Sequence, residues 1–552
     1  MAWLSVVNYI SLVILNYIEG ERAETKVALI SAKGTGGVYE ESFGVRFPPL
    51  AAASLAAVAM QEGFEARFFD ASSRKKDAES ILESIAEYGP DVAAFIVNAS
   101  SSAKPSTDLA SKLRKSVGML IAGGHHATFA FPWLLKRGFD AVFLGEGELS
   151  FREFLRRLKR GDDWKSVKGL AYSKEGMVIS NGMAQMVERL DDLPIPAFEI
   201  YDRSSYRMGI FGPEESVASL ETSRGCPYNC EYCSVTKMWG ARWRLKSSER
   251  VIEELRKVKD LGYRWVFFVD DNFIIPVKNI VLERVAMIRK MIREELNSLR
   301  YIIQLRADFV AKNEWLPPLL HEAGVRIAFL GIESGDPETL RNMRKNLVPE
   351  ASAKAVQLLS SNGIIVHGGF MLGAPYEDAE AMKKTVNFAT SLIDFGLDSA
   401  QFSIYTPLPG TDAFMRAASR GDILTLDWDL YDVLHPVMRT NIPPWRLFLF
   451  QRWAQYSFFM KKGLKSLLRG KLFSPPKTEK ERLLNRGTKY LARRIPYYLM
   501  GLLRLPFSAL SIAFKLRRGI NEEDKEELSE ILKSALHMQN PPREKKAEQI
   551  VL

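Results

Sequence analysis

The sequence predicts an α/β protein in which an N-terminal doubly wound sheet is followed by a partial (β/α)6 barrel and a helical C-terminal region. Three observations carry that expectation. Short apolar runs at 27–30, 65–70, 92–97, 119–122 and 141–144 alternate with amphipathic segments, the rhythm of parallel strands joined by helices. The rhythm returns at 217–221, 265–269, 301–305, 327–330, 366–372 and 399–405, six runs where a closed barrel has eight. Beyond about residue 415 it stops, and long basic helical segments take over. The expected units are an apolar extension over 1–25, the doubly wound domain over 26–195, the partial barrel over 196–415 and the helical region over 416–552.

The chain has 552 residues, enough for several cores. With 47% apolar and 26% charged residues, and no repeat or low-complexity tract, it has the composition of a globular protein. Its three cysteines are clustered rather than paired and dispersed, which argues for a reducing compartment. Residues 1–18 are apolar but interrupted by Asn8 and Asn16. They fall short of the roughly 20 residues of a spanning helix and lack the basic start of a secretory signal. A surface helix, a peripheral anchor and a misassigned start codon all stay open.

In the N-terminal third, Pro48-Pro49-Leu50 opens the first helix, and glycine turns follow two of the runs: Gly123-Gly124 and Gly145-Glu146-Gly147-Glu148. So bare a backbone lets a large flat ligand approach, and doubly wound sheets bind ligands at the carboxyl ends of their strands.

Cys226, Cys230 and Cys233 fall within eight residues, in the run Ser-Arg-Gly-Cys-Pro-Tyr-Asn-Cys-Glu-Tyr-Cys-Ser. Gly225, Pro227 and Asn229 mark it as a loop. Three thiolates on one loop can hold three corners of an iron–sulfur cubane and leave the fourth iron open. A disulfide would strand one thiol and a structural zinc would want a fourth ligand; a three-ligand catalytic zinc stays open on the residues alone.

This spacing, with aromatic Tyr232 before the last cysteine, resembles the cluster-binding loop of the radical S-adenosylmethionine enzymes. The resemblance implies a [4Fe-4S] cluster whose open iron is chelated by the amino and carboxylate groups of S-adenosylmethionine. Reductive cleavage would give a 5'-deoxyadenosyl radical able to take hydrogen from an unactivated carbon. It also implies roles at the barrel's strand ends. Asp270, Asp271 and Asn272 would accept from the cofactor's ammonium, and Arg306 would pair with its carboxylate. Glu333 and Ser334, in Gly331-Ile-Glu-Ser-Gly335, suit ribose hydroxyls; Gly373 lies in the motif on the adenine side. No cysteine remains for an auxiliary cluster or a protein-borne methyl carrier.

The runs Gly123-Gly-His-His-Ala-Thr128 and Phe139-Asp-Ala-Val-Phe-Leu-Gly-Glu-Gly-Glu148 resemble the cobalamin-binding domain that precedes the radical domain in one branch of this family. That makes Gly123, Gly124, Gly145, Glu146 and Gly147 corrin contacts by resemblance. The loop at 31–34 carries no histidine for cobalt, as in many members. A role for His125 or His126 near the corrin stays open, as does a domain that kept the fold and lost the cofactor.

Residues 461–520 hold sixteen lysines and arginines against two glutamates, although the whole chain is only +10. Within them, 493–518 is apolar in the middle and cationic at both ends. Arg504, Pro496 and Pro506 argue against a plain spanning helix and fit a segment in the headgroup plane, with Tyr497 and Tyr498 at the boundary. A helical cap on the barrel accounts for the same residues, and RNA would seldom need so much leucine, isoleucine and phenylalanine. A helix over 445–460 is expected to cover the barrel mouth, and 521–552 to form an acidic-rich helix and a polar tail.

Together these readings imply a cobalamin-binding radical S-adenosylmethionine enzyme, reduced by an external flavodoxin or ferredoxin. Its expected reaction is C-methylation of an sp3 carbon in a lipid or other hydrophobic substrate, as in the similar hopanoid methylases; the similar tetraether-lipid ring synthases also act on lipid. The expected location is cytoplasmic, with peripheral contact at the inner face of the membrane. The alternatives are cyclisation or carbon–carbon bond formation without methyl transfer, modification of RNA or a peptide, and a non-catalytic cobalamin or metal sensor.

Overall fold

The computed structural model describes residues 25–32, 44–72, 78–468, 475–517 and 519–539. The extension expected over 1–25 lies outside them but for Thr25, as do most of the loop after the first strand, Arg518 and the tail from 540.

The first sheet contains β1 (Lys26–Ser31), β2 (Glu65–Asp70), β3 (Val92–Ile96), β4 (Met119–Gly123) and β5 (Ala141–Phe143), parallel and in the order β2-β1-β3-β4-β5. Alternation along the strands fills two cores. Ala28, Ile30, Ala93 and Phe95 enter one, Val27, Leu29, Ala94 and Ile96 the other, so both faces are covered and the runs read as continuously apolar. Helices α1 (Leu50–Gln61) and α2 (Gly147–Arg160) pack together over one of them. A hairpin of β6 (Leu170–Lys174) and β7 (Met177–Ser180) adds antiparallel to β5 and was not expected from the sequence. Its turn residues, Glu175 and Gly176, have φ of 52° and 80°, the two left-handed positions of a type I′ turn.

The second sheet is the expected partial barrel. Strands β8 (Val217–Leu220), β11 (Trp265–Phe268), β12 (Arg300–Leu305), β13 (Val325–Glu333), β14 (Ile365–Leu372) and β15 (Ser399–Ile404) are all parallel and pair in chain order. Between β8 and β11, the two-residue strands β9 (Ser223–Arg224) and β10 (Arg244–Leu245) pair antiparallel and close the base of the cysteine loop.

Helix α3 (Pro444–Leu468) departs from its expected place. Only its first turns reach the barrel mouth, where Leu447 meets Gly373. The rest runs along the open edge of β15. There Gln451 donates to the Phe402 carbonyl (2.6 Å), while Gln455 donates to that of Ala400 (2.8 Å) and accepts from the Phe402 amide (3.1 Å). Helix α4 (Glu479–Arg493) closes the barrel's opposite end, where Leu483 packs against Val217, Trp265, Ile302, Ile327 and Ile365. Helix α5 (Ile495–Arg517) is continuous through Pro506 and lies against α3. The expected acidic helix, α6 (Glu522–Gln539), turns back to the first sheet's core, where Glu527 pairs with Arg137 at 2.8 Å and Glu530 with Lys136.

Candidate active site

The cysteine loop is held from both sides. Gly225 has φ +95°, and a side-chain carbon there would lie 2.2 Å from the Arg242 carbonyl, so the tight base of the loop requires glycine. Further on, the buried carboxylate of Glu231, between the last two cysteines, accepts from Tyr376 (2.8 Å) and Tyr405 (2.7 Å) and pairs with Arg416 at 2.9 Å. Its backbone bonds to Met343 and Ala413. These anchors come from four later segments and were not foreseen, although Glu231 lies inside the motif.

Cys230 is buried, and Cys226 and Cys233 are half-buried. Burial pushes the Cys226 thiol upward and that of Cys233 to about 12. Soft metal would have to displace those protons to bind. Among the described residues, no three histidine, cysteine, aspartate or glutamate side chains converge on one point as a single-ion site requires. A cubane has a different demand, because each thiolate takes its own iron.

The strand ends around the loop are crowded with polar groups, most of them already engaged. Asp270 was expected to face the cofactor; instead it accepts from the amides and hydroxyls of Thr222 and Ser223, which fixes the strand leading into the loop. Arg306 forks onto Asp308 through two contacts of 3.1 Å, donates to the Lys345 carbonyl and lies 3.7 Å over the Tyr228 ring, so it buttresses the loop. The Ser334 hydroxyl is taken by Thr385 (2.8 Å) and the Asp336 amide (3.0 Å). Gly373 has φ +80°, the left-handed region that favours glycine, and the Leu447 side chain packs onto it.

Three expected residues keep chemical capacity. Asn272 is buried with neither end of its amide partnered, a costly state that a ligand would relieve. Glu333 sits at a bulge in β13 with φ 66°, strained for a non-glycine residue, and is held by Lys345 (2.8 Å) and Tyr232. Burial alone would lower the Lys345 ammonium, but Glu333 beside it holds it above its usual range. Asp271 is exposed to the neighbouring cavity but crowded by protein on its other sides; that desolvation, with Asp270 adjacent, pushes its carboxyl up to about 7.

The cavity, of about 390 Å³, lies between the carboxyl ends of the two sheets. Gly123, Gly124, Gly145 and Gly147 line one wall; Ser223, Arg224 and Asp271 of the barrel line the other. The glycines differ in what demands them. At Gly124 a side-chain carbon would strike Asn98 at 2.3 Å, so the fold itself needs glycine there. At Gly123 and Gly147 the nearest atoms are at ordinary contact distance, 3.5 and 3.8 Å, so the bareness serves the cavity rather than the packing.

Glu146, expected at the corrin, instead joins a buried ion network across the joint between the sheets. It binds Arg224 (3.3 Å), Arg244 and the Val187 amide (2.9 Å). Arg224 also binds Glu148 (2.6 Å) and Glu221 (2.7 Å), and Lys246, Glu254 and Arg250 continue the chain. Four carboxylates thus meet four cations, so no charge is left uncompensated. Of the two histidines, His125 lines the cavity against Trp239, whereas His126 turns into the core onto Ser100 (2.9 Å) and Trp428.

The cavity's bare wall fits a flat macrocycle, the three thiols fit an iron–sulfur cluster, and the unpartnered amide of Asn272 fits a polar ligand. Comparison with known proteins agrees. The Radical SAM superfamily profile matches residues 220–389 and the B12 binding domain profile residues 37–155. An uncharacterized methyltransferase of Pyrococcus horikoshii is 31% identical over 414 residues, covering 73% of this chain and 86% of that protein. The hopanoid C-3 methylase of Methylococcus capsulatus is 28% identical over 412 residues, 74% of this chain and 75% of that one. The fold is shared with the radical S-adenosylmethionine methyltransferase TsrM of Kitasatospora setae, solved with cobalamin and a [4Fe-4S] cluster bound: TM-score 0.60 at 19% identity, over 72% of this chain and 75% of that one. The chain therefore belongs to the radical S-adenosylmethionine superfamily, in the branch whose radical domain follows a cobalamin-binding domain.

Proposed function

We propose that this enzyme C-methylates an unactivated sp3 carbon of a lipid or other hydrophobic substrate, reduced by an external flavodoxin or ferredoxin. The observation that carries the reading is the shared cavity, whose glycine wall belongs to one sheet and whose opposite wall leads directly into the cysteine loop. In this reading residues 26–195 hold cobalamin, 196–415 hold the cluster and S-adenosylmethionine, and 416–552 cover the barrel and meet a membrane peripherally through 493–518 at its cytoplasmic face.

Cys226, Cys230 and Cys233 would hold the cluster. Asn272, Asp271 and Glu333 are the side chains left to orient S-adenosylmethionine, with Lys345 fixing Glu333. Gly123, Gly124, Gly145 and Gly147 would receive the corrin. When bound, these groups supply a carbon-centred radical and a transferable methyl group. The protein's own part is to hold the loop rigid through Glu231 and Asp270, to exclude water with the Phe47, Ile96, Phe143 and Phe267 side of the cavity, and to keep both cofactors against one wall.

Anaerobic reconstitution with iron, sulfide and hydroxocobalamin, followed by mass spectrometry of host lipids with and without the gene, tests this. A lipid with hydrogen in place of one methyl group, lighter by one CH2 unit, is expected in the deletion strain. Deoxyadenosine formed with no methylated product would move the enzyme to cyclisation or carbon–carbon bond formation. Corrinoid binding without any cleavage of S-adenosylmethionine would make it a sensor.

A further inference from the structure

We infer that α5 lies in the plane of an anionic lipid leaflet, its outward apolar stripe among the acyl chains and its cations at the headgroups. The inference rests on the peripheral contact proposed above and fixes how the helix meets the bilayer. Among the described residues α5 is the one helix long and apolar enough to cross a membrane, and little of it is buried in the protein.

It carries two apolar stripes. Leu505, Ala509, Ile512 and Leu516, spaced four, three and four, pack with Leu424 and Phe448. Leu499, Leu503, Phe507, Leu510 and Phe514, spaced four, four, three and four, are between 55% and 76% exposed. At about 100° per residue these stripes fall on opposite sides of the helix. A helix that only capped the barrel would show water a polar outer face.

Arg504 and Lys515 are 11 residues apart, hence three turns, and lie on one line between the stripes. Lys515 comes within 3.6 Å of Asp427 yet stays 58% exposed, and Arg504 is exposed with no ion-pair partner among the described residues. A line of cations flanking an apolar stripe is the arrangement that matches acyl chains below and anionic headgroups beside. Tyr497 and Trp453, both about half exposed, are side chains that favour the same boundary.

A crossing orientation is excluded by what α5 is attached to. Leu449 and Phe448 near the start of α3 meet the C-terminal half of α5, and Tyr456 lies near Gly501, so the two helices run antiparallel along their length. Helix α3 is fixed to β15 through Gln451 and Gln455, and sinking α5 into hydrocarbon would drag those amides and Arg452 with it. Arg504 would also stand near the bilayer centre. The antiparallel arrangement brings the exposed Met460, Leu464 and Leu468 of α3 toward the N-terminal end of α5, which extends the apolar surface.

The test is flotation of the full-length, anaerobically reconstituted protein with phosphatidylcholine vesicles, with and without phosphatidylglycerol. Expected is flotation with anionic vesicles only, release by alkaline carbonate, and a drop in partitioning of roughly tenfold or more for Leu503→Ser with Phe507→Ser, and for Arg504→Glu. Leu503 and Phe507 are 76% and 74% exposed, so these variants should keep the wild-type thermal midpoint and cluster absorbance. Failure to float with either vesicle overturns the peripheral contact itself, as does a tight RNA complex or a dimer lost on the same substitutions without vesicle binding. Flotation that resists carbonate, or is equal with neutral vesicles, overturns the in-plane orientation alone.

Discussion

The two walls of the cavity are built by opposite means. The N-terminal sheet contributes absence: glycines at the ends of β4 and β5, two of which the fold would let carry a side chain. The barrel contributes presence: Ser223, Arg224 and Asp271 on the wall itself, and behind it Asp270, Arg306 and Glu231, whose protein contacts hold the cysteine loop. A flat macrocycle is bound largely by apolar contact and needs a smooth wall. A cluster needs three thiols kept at fixed separations, and the surrounding polar groups do that rather than touch it.

The two walls should fail separately, most severely at the cluster. Cys230→Ala should remove the cluster, read as iron content, and abolish cleavage of S-adenosylmethionine while corrinoid binding persists. Arg224→Met leaves Glu146, Glu148 and Glu221 buried without their shared cation and should cost about 3–5 kcal/mol of stability in denaturant unfolding; a neutral result would show that the walls are not joined through this network. Glu231→Gln replaces a charged acceptor of two tyrosines and should cost about 1.5–3 kcal/mol. Slower cluster loading with unchanged corrinoid affinity is its signature. Gly123→Leu fills the bare wall and should weaken corrinoid binding roughly ten- to a hundredfold with the cluster spectrum intact. A lost cluster in that variant would show that the two walls do not act separately.

The smallest effect is one of pH, and each sheet contributes to it. His126 and His367 are buried beside Ser100 and Ser399, and burial lowers their pKa to about 3 and about 4 from the ordinary 6.5. The unfolded chain therefore takes up protons below 6.5 that the folded chain refuses. Their contribution is complete above 6.5 and is lost as pH falls from there through 4 toward 3. Thermal midpoints measured between pH 7 and 5 should fall, and His126→Gln should flatten part of that slope.

The strands were legible because a parallel sheet covered on both faces turns burial into unbroken apolar runs, as at Val92–Ile96. The β6–β7 hairpin was missed although Glu175-Gly176 carried the turn signal, because its strands are short and one end is exposed. The chemistry-bearing residues were legible as positions but not as roles. Asp270 follows a strand end, as expected of a ligand-facing carboxylate, yet the amides that occupy it come from 48 and 47 residues earlier. Glu146 and Arg224 are 78 residues apart, a separation no spacing rule reaches. Arg306 was closer to hand, since Asp308 stands two residues on.

The edge of β15 has a consequence for how this chain can be cut or fused. Its outward amide and carbonyl groups are answered by the side chains of Gln451 and Gln455 and by the Val433 carbonyl, which accepts from Ile404 at 2.7 Å. An open parallel sheet normally ends in a template for foreign strands. Here two glutamines, one helical turn apart, act as a removable hem. A version ending before Pro444 would keep all six strands but unpick that hem, and its fate in solution would be self-association through β15.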